Sequence, residues 1–177
     1  IRTVKEKISL LEEEKREFLK LWASVPKAPF EVEEERFRII WGRVEFFSAV
    51  KQMCAAASKR IYILTTRNGL SRLYYAGLDQ LIEEKKSIEF RVLAEIDRSN
   101  LEAAERFASI ATLHYSKPTS TQFVLADDSE IIVNMALDDS MSLSSERDTS
   151  LWTNSKGYVG LMQRLFDGLW ADSVDAK

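Results

Sequence analysis

The sequence predicts an α/β fold: a mixed sheet flanked by helices and preceded by an N-terminal coiled-coil helix. Three observations carry this expectation. Ile1, Val4, Ile8, Leu11, Lys15, Phe18 and Trp22 recur at spacings of three and four, a heptad seam with one polar member. Strand-like and helix-like patterns then alternate from Phe37 to Tyr115. Finally, two strand patterns follow one another across Asp127-Asp128-Ser129, a hairpin that adds antiparallel pairs to the sheet.

The first seam is ringed by Glu12, Glu13, Glu14, Lys15 and Arg16, as a solvated helix flank would be. Three heptads are marginal for an isolated helix. The seam is therefore expected to pair with a second copy through Val4, Ile8, Leu11 and Phe18, which assigns residues 1–24 to dimerisation; the alternative is an ordinary amphipathic helix lying on its own domain. Pro26 and Pro29 end the helix, and residues 30–172 are expected to form one domain. Phe37 to Trp41 reads as a strand stopping at Gly42. Val44 to Ser58 is helical, with Phe46, Val50, Met53, Cys54 and Ala57 on one face.

Arg60 to Thr66 reads as a buried strand, and Gly69 to Lys86 as one helix. Ser87 to Glu95 alternates, with Ile88, Phe90, Val92 and Ala94 on one side. Ser99 and Glu102 fit a capping box for the next helix. Leu113 to Tyr115 is a small strand, and Thr121 to Ala126 and Glu130 to Ala136 form the hairpin. The Ser/Asp-rich stretch Leu137 to Ser150 reads as a mobile loop. Leu151 to Thr153 is a last strand, and Asn154 or Ser155 caps a final helix through Trp170, with a frayed tail from Ala171.

The 177 residues are 45% apolar and 30% charged, which suits a packed domain rather than a disordered chain. The net charge of −3 does not suit a nucleic-acid-binding module. A single histidine, His114, excludes His-rich metal centres. The lone Cys54 suits a reducing, cytoplasmic setting and no intrachain disulfide. No stretch reads as a membrane span or a signal peptide. Neither a dinucleotide fingerprint nor a P-loop is present. The start at Ile1 reads as that of a fragment whose natural N-terminal part lies upstream.

After a coiled coil and a proline break, the segments RIYILTT, SIEFRVLAEI, TQFVLADDSEIIVN and LWTNSKGYVGLMQRLFDGLW follow in order. This order resembles the C-terminal effector domain of TrmB-family archaeal transcription regulators, which has a phospholipase D-like fold. The closing LWTNS, with its helix ending in LF-x-x-LW, is the most specific part. The resemblance implies a homodimer paired through the N-terminal helix. It also implies a small polar effector, with a sugar among the candidates, and DNA contact only through a winged helix that this sequence lacks.

Active phospholipase D-type enzymes carry His-x-Lys-x-x-x-x-Asp, in which the His attacks phosphorus and the Lys neutralises the phosphate oxygens. Setting Asp127 at the acidic end places Ser120 at the His position and Gln122 at the Lys position. The resemblance therefore implies a binding domain that is not an enzyme and needs neither cofactor nor metal. Two other readings stand beside it. One is a hydrolase using displaced groups at His114 and Lys117, and the other a ligand-free oligomerisation scaffold.

Ligands of open α/β sheets bind beyond the carboxyl ends of the strands. There Thr66, Arg67 and Asn68, with Thr65, stand where backbone N–H groups and a guanidinium can hold an anion, or where Thr66 or Asn68 simply caps a helix. Glu95, Asp97 and Arg98 follow the next strand as a candidate polyol or cation site, or as ordinary surface charge. Ser120, Gln122 and Asn154 would line the vestigial cleft with neutral donors and acceptors. Trp152 would stack on a ligand ring or fill core, and Trp22, Trp41 and Trp170 read as packing. Cys54 reads as a small core residue or, if exposed with a lowered pKa, a redox switch, and His114 as a pH sensor or a site without a special task.

Overall fold

The computed structural model describes residues 12–13, 15–17, 20, 34–85, 87–135 and 139–176. The chain divides into two compact units, Ile1–Glu34 and Glu35–Lys177. In the first, Glu12, Glu13, Lys15, Arg16, Glu17 and Lys20 are helical and exposed. Val4, Ile8, Leu11, Phe18 and Trp22 of the seam, and the break at Pro26 and Pro29, lie outside the described residues.

Among the described residues, the second unit is built on eight strands: β1 Phe37–Trp41, β2 Arg60–Thr65, β3 Glu89–Ala94, β4 Thr112–Tyr115, β5 Gln122–Ala126, β6 Glu130–Met135, β7 Thr149–Thr153 and β8 Val174–Asp175. Five helices accompany them: α1 Arg43–Ala56, α2 Arg67–Tyr75, α3 Leu78–Glu84, α4 Leu101–Ile110 and α5 Lys156–Ala171. The strands form one sheet in the order β1-β7-β6-β5-β2-β3-β4-β8. β2, β3 and β4 run parallel, because each is joined to the next through helices. The other neighbours are antiparallel.

Strand alternation sends side chains into two separate cores. Ile61, Ile63, Val92, Val124 and Ile132 meet Phe46, Val50, Leu70, Leu78 and Phe107 in one core. Leu64, Leu93, Phe123, Leu125, Ile131 and Val133 meet Val159, Met162 and Phe166 of α5 in the other. Cys54 is fully buried in the first core, where loss of water contact pushes its thiol up to about 12. Trp170 packs against the second core, and Trp152 against the first. Trp41 corrects its reading as packing: it is 69% exposed, on the edge strand β1 beside Phe37 and Ile39.

Several local expectations are corrected as well. The single helix over Gly69 to Lys86 is two, because Gly77 sits at φ 77°, a left-handed conformation that interrupts the helical ladder. The capping box does not form: the Ser99 hydroxyl and N–H both donate to Asp97, and Asn100 occupies the cap position without a side-chain cap bond. Ser155 stands at the N-cap of α5 without a side-chain cap bond, while the Glu35 carboxylate accepts from the Lys156 N–H at 3.2 Å. The tail is not frayed throughout, since β8 pairs with β4 and the Ala176 N–H donates to the Leu113 carbonyl.

A Cβ at Gly77 would meet no atom closer than 3.9 Å, so the cost of substitution there is conformational. Gly77→Ala is expected to destabilise the protein by about 1–2 kcal/mol, as read from the midpoint of urea unfolding. An unchanged midpoint would show that the α2–α3 break does not need the left-handed residue.

Candidate functional site

Four neighbouring strands end in one polar row. Thr65, Gln122, Asn134 and Ser150 occupy adjacent positions on β2, β5, β6 and β7, and alternation points all four to the α1–α4 face. All are buried, at 1%, 5%, 2% and 1% exposure. The Thr65 hydroxyl donates to Gln122 Oε1 at 3.1 Å, and the Ser150 hydroxyl to Asn134 Oδ1 at 3.4 Å. Among the described residues, Gln122 Nε2, although buried, has no hydrogen-bond partner. A buried amide donor left unmatched is costly, so it marks a place where a bonding group is missing.

α2 approaches this row closely. Thr66 caps the helix by accepting from the Gly69 N–H at 2.9 Å. A Cβ added at Gly69 would land on Thr65 Oγ1 and Gln122 Oε1, so a glycine is required for the helix to lie on the row. The segment from Asp139 to Asp148 lies against these same strand ends. The Thr66 hydroxyl donates to Asp139 Oδ1 at 2.8 Å, and Asn68 Nδ2 donates to the Asp139 carbonyl at 2.6 Å.

Two buried arginines hold that segment. Arg72 pairs with the Asp139 carboxylate at 2.8 Å. Burial pushes the Arg72 guanidinium down from its usual range, against the pull of Asp139. Arg43 Nε pairs with Asp148 at 2.6 Å, with exposures of 1% and 0%. The Arg43 guanidinium also donates to the carbonyls of Ser140 and Ser142. The backbone joins in: the Gly42 N–H donates to the Asp148 carbonyl and the Arg43 N–H to the Ser145 carbonyl, each at 2.8 Å. The described residues of this stretch are irregular through Asp148, as expected of a loop, and they are tied down by charges from α1 and α2.

The structure brings Thr66, Asn68 and Gln122 together around this row, with Arg67 one residue along and engaged by Asp97 at 2.7 Å. Hydrogen bonds from Ser99 and Arg67 hold the Asp97 carboxyl down at about 2. Ser120 is exposed on the approach to β5. Trp152 and Asn154 do not join the set. They lie toward the other end of β7, where Trp152 Nε1 donates to Glu130 at 2.6 Å and Asn154 Oδ1 accepts from the Arg36 N–H at 2.7 Å. His114 stacks on Trp170 with ring centres 3.9 Å apart, and its Nδ1 lies 2.7 Å from the Ser173 hydroxyl.

Sequence reasoning missed Arg43, Arg72, Asn134, Asp139, Asp148 and Ser150. Arg72 stands beside Leu73 on the inward side of a helix, and Asn134 falls on the inward alternation of an otherwise apolar strand. Those were the available signals. Among the described residues no group of acidic, His or Cys side chains is placed to hold a metal ion.

Asp127 has a structural task at the far end of β5. It accepts hydrogen bonds from the N–H groups of Ser58, Lys59 and Arg60 and from the Ser58 hydroxyl, at 2.6–3.0 Å. Burial pushes its carboxyl up, but these donors outweigh it and hold the group below the ordinary carboxylate range.

No family model matches the chain, and no curated protein matches it in sequence. Solved structures do match. One is TrmBL2, described as an archaeal chromatin protein that shows a novel mode of DNA binding. Its TM-score is 0.61 at 16% identity, covering 98% of this chain and 65% of that one, so the chain spans about two thirds of TrmBL2. Another is Nuc from Salmonella typhimurium, a phospholipase D family member, with TM-score 0.60 at 10% identity over 81% of this chain and 99% of Nuc. A third is phosphatidylserine synthase from Haemophilus influenzae, with TM-score 0.55 at 11% identity over 74% of this chain and 36% of the synthase.

The chain thus has a phospholipase D-like fold. These neighbours also correct the expectation that it is not an enzyme. The architecture is one that a named synthase uses, and the loss of a single His-x-Lys pattern does not remove a chain from an enzyme fold. Among the described residues no helix is long and apolar enough to cross a membrane.

Two outcomes test the site. Asp148→Ala leaves the buried Arg43 charge without its partner and is expected to cost about 3–5 kcal/mol in urea unfolding; a loss below about 1 kcal/mol would contradict the pinning role. Because the folded Asp127 carboxyl lies below its unfolded value, its stabilisation is present above about pH 4 and is lost as the pH falls through the folded value. Asp127→Asn should therefore lower stability at neutral pH and flatten the acid limb of the stability curve. An acid limb parallel to that of the wild type would refute this.

Proposed function

We propose that this chain is the effector-sensing and dimerising domain of a DNA-binding transcription regulator. A small polar effector is bound at the strand ends through Gln122 of the row of Thr65, Gln122, Asn134 and Ser150, with Thr66, Arg67, Asn68 and Ser120 beside it. The observation that carries this reading is the extent of the likeness to TrmBL2. It runs over 98% of the chain, where the likeness to Nuc covers 81%. The unpartnered Gln122 donor supports a ligand at the strand ends, since a hydroxyl or carbonyl oxygen there would satisfy it.

Pairing of two copies through Val4, Ile8, Leu11 and Phe18 would join the domain to DNA-binding heads supplied upstream. An effector that prefers one arrangement of the paired helices would then shift the spacing of those heads.

A thermal-shift screen against mono- and disaccharides tests the site. A sugar should raise the melting temperature of the wild type, and Gln122→Ala should abolish that rise while keeping its circular dichroism spectrum. An equal rise in the variant would remove the site from the reading. Leu11→Asp is expected to convert a dimer into a monomer in sedimentation equilibrium, and an unchanged mass would reject pairing through that seam.

A second reading rests on the likeness to Nuc and phosphatidylserine synthase: a phosphodiester hydrolase of the same fold. Release of p-nitrophenol from bis(p-nitrophenyl) phosphate by the purified chain, lost in His114→Ala or Lys117→Ala, would favour it. No release above buffer would leave the regulator reading ahead.

A further inference from the structure

A cavity of about 440 Å³ opens beyond the carboxyl ends of β2 and β4, on the α5 side of the sheet. That volume lies within the range of small-molecule sites, about 300–1,000 Å³. Leu64 at the end of β2 lines it and is 4% exposed. Tyr115, Leu169 and Val174 also line it and are 41%, 39% and 66% exposed, so three of the chain's exposed large apolar side chains converge on one hollow. Scattered exposed apolar residues are ordinary, but convergence around a cavity is not.

Two charged side chains join Ser116, Pro118, Thr119 and Ser173 in the rest of the lining. Lys117 follows β4, and Asp172 is the C-cap of α5; both are exposed. Among the described residues neither forms an ion pair with the other or with a third group. The carboxyl end of α5 adds partial negative charge on the Asp172 side. The hollow is therefore apolar at Leu64, Tyr115, Leu169 and Val174, positive at Lys117 and negative at Asp172.

We propose that this cavity binds an amino acid with an apolar side chain. The ligand carboxylate meets Lys117, its ammonium meets Asp172 and the α5 carboxyl end, and its side chain lies against Leu64, Tyr115, Leu169 and Val174. A purely apolar ligand would leave both charges unused, and a sugar would waste the apolar lining. The Asp172 rim is fixed in place by a chain of contacts. The Ser173 hydroxyl donates to the Trp170 carbonyl at 2.6 Å, so the Nδ1–H of His114 donates to Ser173 at 2.7 Å. This site shares no residue with the strand-end row, so the proposal stands independently of the regulator reading, and either can fail without the other.

Isothermal titration of the full chain with L-phenylalanine and L-leucine tests it. Both are expected to bind, and glycine is not, since it lacks the group that fills the hollow. Lys117→Ala and Asp172→Asn change exposed side chains and should each weaken binding about five-fold, as expected for ion pairs at a rim. Leu169→Trp, which fills the cavity, should abolish it. Removing one ligand charge at a time, with isocaproate or isoamylamine in place of leucine, should reproduce the rim losses. Absence of heat with both amino acids at tens of millimolar would overturn the proposal. So would binding unchanged in all three variants, or isocaproate and leucine binding equally well.

Discussion

The ion pair between Arg43 and Asp148 is the constraint on which the strand ends depend. Both groups are withdrawn from water, and burying either alone would be prohibitive. Their pairing joins the first turn of α1 to the approach of β7, across more than 100 residues of chain. From that anchor the Arg43 guanidinium reaches the carbonyls of Ser140 and Ser142, and the neighbouring backbone takes up Ser145 and Asp148. Arg72 adds a second tether at Asp139 from α2. A polar segment with little apolar content of its own thereby acquires a fixed course.

That course matters because of what lies below it. The polar row on β2, β5, β6 and β7 is placed where the apolar alternation of each strand would otherwise continue. Four buried neutral groups in a line cost desolvation, and the hydrogen bonds in the row leave Gln122 Nε2 unmatched. Gly69 lets α2 lie directly on the row, closing it from the side. The expense is borne at one end of β2, β5, β6 and β7, beyond the carboxyl end of β2, and not in the middle of either core.

Much of the architecture was legible because it is carried by local pattern. Phe90, Val92 and Ala94 share one face as their alternation requires, and the Asp127-Asp128 turn tolerates two left-handed residues as hairpins of this type do. Gln122 was legible only through the family pattern that places it at a functional position. The rest depends on partners distant in sequence. Nothing near Asp148 announces Arg43, and nothing in the Ser-rich stretch reveals the two guanidinium groups that organise it. Arg72 reads as one polar residue in an amphipathic helix until the sheet is assembled beneath it. Asn154 reads as a cleft partner of Gln122 and Trp152 as a stacking ring, but the antiparallel course of β7 carries both to the opposite end of the strand.

The Arg43–Asp148 and Arg72–Asp139 pairs hold residues 139–148 against the strand ends. Trypsin probes this directly, since Arg147 is exposed beside the Asp148 anchor. The native chain is expected to resist cleavage after Arg147 under conditions in which Asp148→Ala is cut there, with the fragments assigned by mass spectrometry. Cleavage of the native chain at that bond as fast as in the variant would contradict this hold.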